Sequence, residues 1–431
     1  MAHVTVRRAG CAASLALLLA AACHRSASYE GPYGDKVAEY VPMIEKAMGR
    51  PFKSPPKLEV RTKDQVREFL LRHLADSVPR RELAGQQALF KVLGLIPDTL
   101  DLQKFFVPLL TEQIIGYYDP RTKVLYVVDG APADYAGFTI MHELVHALQD
   151  QYVNLDSIEN KIADNDRQSA VQAVIEGQAT FEQAVLMTGG PGNMVASLPG
   201  GWEQIRTMIR DAQATQPVFA NAPMVIQESL LFPYINGAEF IRRYEARRPG
   251  KMPLDSLPQS TEQILHEDAF FGKKPDLPIQ VALPPVSGSF YQNDLGEFGT
   301  RLFLFNFLRT DSLNSTSVPA SAAAGWGGDR YAVVHTAKGD GIVWVSVWDT
   351  ARDAIEFANA LTAAIAARFG GELHTLPNAS VDAGGAKRYD FTDRTIVIAT
   401  REIAGRTVVA YTQVPRGANA ALLDLSRVTL H

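Results

Sequence analysis

Thr139-Ile140-Met141-His142-Glu143-Leu144-Val145-His146-Ala147-Leu148 carries two histidines four residues apart with a glutamate beside the first. On an α-helix, residues four apart stack on one face, so His142 and His146 can offer two imidazole nitrogens to one cation at the ~2.0–2.1 Å that zinc prefers. Glu143 projects beside that face, where it can take a proton from a metal-activated water instead of binding the metal. Phe138, Ile140, Met141, Leu144, Val145, Ala147 and Leu148 make the helix apolar nearly all round, which predicts burial. Two histidines and a carboxylate buried there need partners, because an unpaired buried charge is costly. A metal supplies them.

A catalytic zinc takes a third protein ligand and keeps one position open. The longer motif with a third histidine six residues after the second is absent, since Gln149 and Tyr152 stand where its Gly and His would be. Downstream, a helix expected over 167–187 contains Glu176, the only carboxylate in the uncharged run from Gln168 to Phe181. Glu176 is therefore the expected third ligand, and Gly177 beside it should let this helix approach the first closely. Asp150, four residues after His146, is the candidate for holding an imidazole tautomer. Tyr234 and His266 are the candidate donors to a developing oxyanion.

His142, Glu143, His146 and Glu176, with a hairpin ahead of them, resemble the gluzincin metallopeptidases, in which HExxH on one helix is completed by a glutamate on the next. The likeness covers roughly 35–268. It implies a zincin-like fold, a Zn²⁺ cofactor, peptide hydrolysis, and an edge strand above the site that pairs with an extended substrate; 123–128 is similarly placed. The sequence departs from the pattern at Thr180, where many gluzincins carry an Asp that orients the first histidine. The run His146-Ala147-Leu148-Gln149-Asp150-Gln151 looks like a bacterial branch of HExxH proteins.

Outward from the motif, apolar spacing predicts helices over 35–49, 65–75, 81–93, 102–111, 134–151, 201–213 and 223–247. A short strand fits 58–61, and 114–118 with 123–128 reads as a hairpin turning at 119–122. The 189–200 stretch reads as a loop. Gly272 to Pro278 is the expected linker, giving a metallopeptidase domain over 35–275 and a C-terminal domain over 276–431. In the latter, strands fit 330–335, 341–348, 387–391, 395–401 and 407–414, with a helix over 352–369. Residues 312–324 read as a loop, and 325–330 as turn and packing residues. The expected class is α+β: a mainly helical part with a hairpin, then a smaller part built on an antiparallel sheet.

A chain of 431 residues that is 46% hydrophobic can bury a large core, and its net charge of -5 provides no basic face for nucleic acid. Its two cysteines, Cys11 and Cys23, both fall in the first segment. There a short basic stretch ending at Arg8 precedes an apolar run to Ala22, which reads as an export signal over 1–22. Leu19-Ala20-Ala21-Ala22-Cys23 resembles a lipobox, so Cys23 is the expected lipid attachment point and 23–34 a tether. No later apolar run reaches bilayer length. The expected function is a zinc peptidase of the cell envelope, anchored by lipid and acting on a peptide or protein substrate. The alternative is a non-catalytic, zinc-braced lipoprotein that binds a partner. Retention of Glu143 favours the enzyme, since a brace has no use for a positioned base; oligomeric state stays open.

Overall fold

The computed structural model describes residues 29–159, 161–188, 201–308, 317–370, 380–381 and 385–431. The expected export signal, Cys23 and the 189–200 loop lie outside these. The chain is mixed α+β, helical toward the N-terminus with an antiparallel sheet toward the C-terminus.

The N-terminal part runs α1 (Gly34–Met48), β1 (Lys57–Arg61), α2 (Lys63–Ala75), α3 (Ser77–Leu93), α4 (Leu102–Gln113), β2 (Gly116–Asp119), β3 (Val124–Val128), α5 (Ala133–Tyr152), α6 (Leu155–Glu159) and α7 (Asn165–Met187). It continues through α8 (Gly201–Ala214), α9 (Pro217–Ala220), α10 (Met224–Arg247), α11 (Thr261–Leu265) and α12 (Glu267–Phe271). Most of these match the helical periods in the sequence to within a residue or two. The three strands form one sheet in the order β1-β3-β2, with β1 parallel and β2 antiparallel to β3. The expected edge strand at 123–128 is therefore the centre of this sheet. Its five residues are buried, Leu125 and Val127 against α5 and α1 and Val128 against Val66 and Leu70 of α2, and β1 and β2 are the edges instead.

α5 packs its Ile140, Met141, Leu144, Val145 and Leu148 against Leu125 and Val127 of β3 and against Val37 and Ile44 of α1. Its burial is not complete, since Phe138 is exposed. α7 contributes Ala179 and Leu186 to that cluster, and Val171, Val174 and Ile175 to a second one with Phe232, Phe240 and Ile241 of α10. Serving two clusters explains why so much of α7 is buried. The close approach made by Gly177 is to α10 rather than to α5. A Cβ on Gly177 would run into the backbone of Gly237, and one on Gly237 into the carbonyl of Ala173.

The C-terminal part comprises β4 (Val281–Ala282), β5 (Ser289–Asn293), α13 (Gly296–Leu308), α14 (Val318–Ala323), β6 (Trp326–Thr336), β7 (Gly339–Trp348), α15 (Ala351–Phe369), β8 (Ser380–Val381), β9 (Lys387–Asp390), β10 (Arg394–Ile403), β11 (Arg406–Pro415) and β12 (Thr429–Leu430). Seven strands form an antiparallel sheet in the order β5-β6-β7-β11-β10-β9-β8. The β10–β11 turn puts Ala404 and Gly405 at φ 51° and 75°, the positive values a tight hairpin needs. Residues 326–330, expected as a turn, already belong to β6, and α14 lies within the expected 312–324 loop. The expected boundary at 275/276 falls between α12 and β4. Across it, Leu89, Leu93, Val225 and Leu231 share one buried cluster with Trp326, Trp344, Trp348 and Phe357. The boundary thus separates two textures of chain that contribute to a common core.

Candidate metal centre

Because α5 is regular through its middle, His142 and His146 stack one turn apart, their rings edge to face at 4.8 Å. The contact of α7 with α5 brings Glu176 onto this pair. His142 Nε2 and His146 Nε2 lie 3.2 Å apart, and Glu176 Oε2 is 3.1 Å from the first and 3.3 Å from the second. A tetrahedral ion with ~2.0–2.1 Å bonds separates its ligand atoms by about 3.3 Å. The three atoms have that spacing and face inward. The side chains remain 13%, 9% and 15% exposed, so the group opens to solvent at one side.

His146 and Glu176 are each held from behind. His146 Nδ1 and Gln149 Oε1 are 2.9 Å apart, while Gln149 Nε2 donates to the Ile175 carbonyl and to Gln178 Oε1. In the neutral imidazole, an Nδ1–H donated to that amide oxygen leaves the lone pair on Nε2, toward Glu176. Glu176 Oε1 accepts from Gln172 Nε2 at 3.0 Å. The Glu143 carboxylate accepts the Tyr118 backbone N–H at 2.8 Å, which ties the edge strand β2 to the motif helix.

The two histidines and the glutamate shift one another. Burial disfavours a protonated His146, yet Glu176, with Glu143 and Gln149 behind it, lifts the imidazole to about 9. Burial pushes the Glu176 carboxyl up, but His146 first, and then His142, pull it below the ordinary range. Two imidazole nitrogens and one carboxylate oxygen at this spacing are a donor set that zinc could share. Glu143 is raised, chiefly by burial, with both histidines drawing it partly back.

Of the other expected residues, Tyr234 joins the group. Its ring lies 6.1 Å from that of His142, and Glu176 first, then burial, then Glu143, push its phenol well above its ordinary value. Asp150 does not hold an imidazole. Its carboxylate accepts from Tyr118 Oη at 2.7 Å, Lys123 Nζ at 2.6 Å and the Leu155 N–H at 3.0 Å, because it faces the hairpin side of α5. The tautomer-holding part falls to Gln149, which sits one residue earlier on the side facing α7. His266 is not at the centre either: its Nε2 meets Glu297 Oε1 and Arg301 Nη2 of α13. Thr180 is buried, and its hydroxyl has no partner among the described residues. Gln172 and Pro233, neighbours of the group, also line a cavity of about 400 Å³ with Leu89, Phe106, Val225 and Leu230.

Residues 285–419 are similar to a Domain of unknown function (DUF8575). That match covers the C-terminal sheet from β5 to β11 and not the motif helix. No curated protein matches the chain. No solved structure matches it.

Proposed function

We propose that this chain is a zinc-dependent peptidase of the cell envelope, with His142, His146 and Glu176 as metal ligands and Glu143 as general base. The observation that carries the reading is the 3.1–3.3 Å triangle of Nε2, Nε2 and Oε2 with the Glu143 carboxylate beside it. When bound, zinc supplies Lewis acidity, polarising a peptide carbonyl oxygen and making water acidic near neutral pH.

The chain's own groups supply the proton traffic. Glu143 takes the proton of the attacking water and returns it to the nitrogen of the leaving amine, so the carboxylate is regenerated. Its burial supports this, because a raised carboxyl holds a transferred proton more readily. The Tyr118 N–H accounts for one of its oxygens and leaves the other to the proton. Tyr234 keeps its phenolic proton next to Glu176 and is the available donor to an oxyanion. Since the Tyr118 N–H points away from β3, strand alternation turns the backbone of Gly116 outward as well, and β2 offers an edge to an extended peptide.

The HExxH helix beneath a small sheet with a hairpin edge supports the zincin-like reading. For localisation, the support is the basic-then-apolar N-terminal segment ending at Cys23, which we propose as a lipid anchor. Among the described residues, no helix is long and apolar enough to cross a membrane. The test is metal content of the purified mature chain together with cleavage of a broad peptide pool. One zinc per chain and defined products are expected. A zinc-loaded parent that cleaves nothing would leave the non-catalytic, zinc-braced lipoprotein.

A further inference from the structure

A second group of acids stands apart from the metal centre, where the chain passes from α12 into the C-terminal sheet. Glu262, on α11, is only 4% exposed, and its carboxylate has no hydrogen bond or ion pair among the described residues. An ionised carboxylate without a partner is among the costliest things a protein can bury. Asp276 lies in the segment between α12 and β4, and Asp349 in the turn between β7 and α15. One oxygen from each of the three lies within 4.8 Å of the others. Oxygens that share a calcium ion at 2.3–2.6 Å sit no more than about 5 Å apart, so one ion can reach all three.

The surroundings add negative charge and little to offset it. Glu297 spends one oxygen on His266 and Arg301, while its other oxygen is buried without a partner. Burial first, then Glu297, Asp276, Asp349 and Asp166, push Glu262 up to about 10. Asp349 is pushed to about 6 by burial, Asp276, Asp353 and Glu297, and Arg406 is the positive charge that draws it partly back. Asp276 and Asp349 reach solvent, which leaves an entry path. The donors are all carboxylate oxygens, with no nitrogen or sulfur to favour zinc. Their uneven spread over three separate segments suits calcium's flexible shell of six to eight oxygens better than the strict octahedron of magnesium.

We propose that Glu262, Asp276 and Asp349 form a calcium site that fastens the 272–280 segment between α11 and the C-terminal sheet. The site draws on both sides of the 275/276 junction, so an ion there would resist separation of the two.

The experiment uses the full zinc-loaded chain in calcium-stripped buffer, titrated with CaCl₂ by calorimetry and by thermal unfolding. One calcium per chain is expected, with Kd between about 10⁻⁵ and 10⁻³ M, a Tm that climbs with calcium, and slower proteolysis within 272–278. Glu262→Gln and Asp349→Asn should each weaken calcium binding at least tenfold. In calcium-free buffer at neutral pH Glu262→Gln should unfold near the parent's temperature, because the raised carboxyl already holds its proton there. No heat and no Tm shift up to about 10 mM CaCl₂ would overturn the proposal, as would equal stabilisation by MgCl₂ or unchanged binding in both variants. Should a variant fail to fold, the titration of the parent still decides.

Discussion

Replacing Glu143 by Gln removes one proton acceptor and almost nothing else. The amide has the same size, and its oxygen can keep the 2.8 Å bond from the Tyr118 N–H. His142, His146 and Glu176 are untouched, so the metal triangle should survive. Stability should hold or rise slightly, because the lost carboxylate is buried and raised by that burial. Chemistry should suffer, since an amide cannot take the proton from water or hand it to the leaving amine. General-base catalysis is worth about 10²–10⁴ in rate, or about 3–5 kcal/mol on the barrier. The assay is kcat/KM on a quenched fluorescent peptide taken from the pool, with zinc content and Tm measured on the same preparations. A variant that keeps zinc and Tm and loses at least a hundredfold in kcat/KM fits the mechanism. One that retains activity within tenfold while holding zinc would refute Glu143 as the base, and one that loses zinc and fold together would refute the claim that its role is chemical.

Three further outcomes follow from the packing. Gln149→Leu deprives His146 Nδ1 of its acceptor, so zinc affinity should fall about 10–100-fold, and a zinc titration matching the parent would show that the tautomer needs no holder. Gly237→Ala drives a methyl into the Ala173 carbonyl and should cost about 1–3 kcal/mol in denaturant unfolding; an unchanged midpoint would mean that α7 and α10 can separate freely. Glu182, buried and facing Glu245, has its carboxyl pushed to about 8 by burial first and then by that neighbour. The folded state therefore keeps a proton that the unfolded state releases near pH 4.5, so stability should decline as pH rises from about 4.5 to 8, by at most about 1.4 kcal/mol per unit. Glu182→Gln should flatten that decline, and a parent whose stability is level across the window would contradict the buried, unpaired placement.

Local pattern alone was enough for the features governed by near neighbours. The helix carrying His142 and His146 and the hairpin before it depend on spacing of three or four residues or on alternation, and each is where those rules put it. Glu176 was legible for a related reason: a lone carboxylate in an uncharged, buried run needs an explanation, and a shared cation is one. α13 was not legible, because Leu302, Phe303 and Leu304 are all buried and erase the helical period that an exposed face would have written. Nor was it visible that β3 would be central, since the parallel partner β1 arrives from more than sixty residues earlier in the chain. The tertiary fold alone decided that Gly177 faces α10 and that Gln149 rather than Asp150 holds His146. It also decided that His266 belongs to Glu297 and that Glu262 meets Asp276 and Asp349 across a junction that composition marks only as a linker. Each of these is a pairing between segments distant in sequence, set by which helix faces meet, and a one-dimensional pattern carries no record of that.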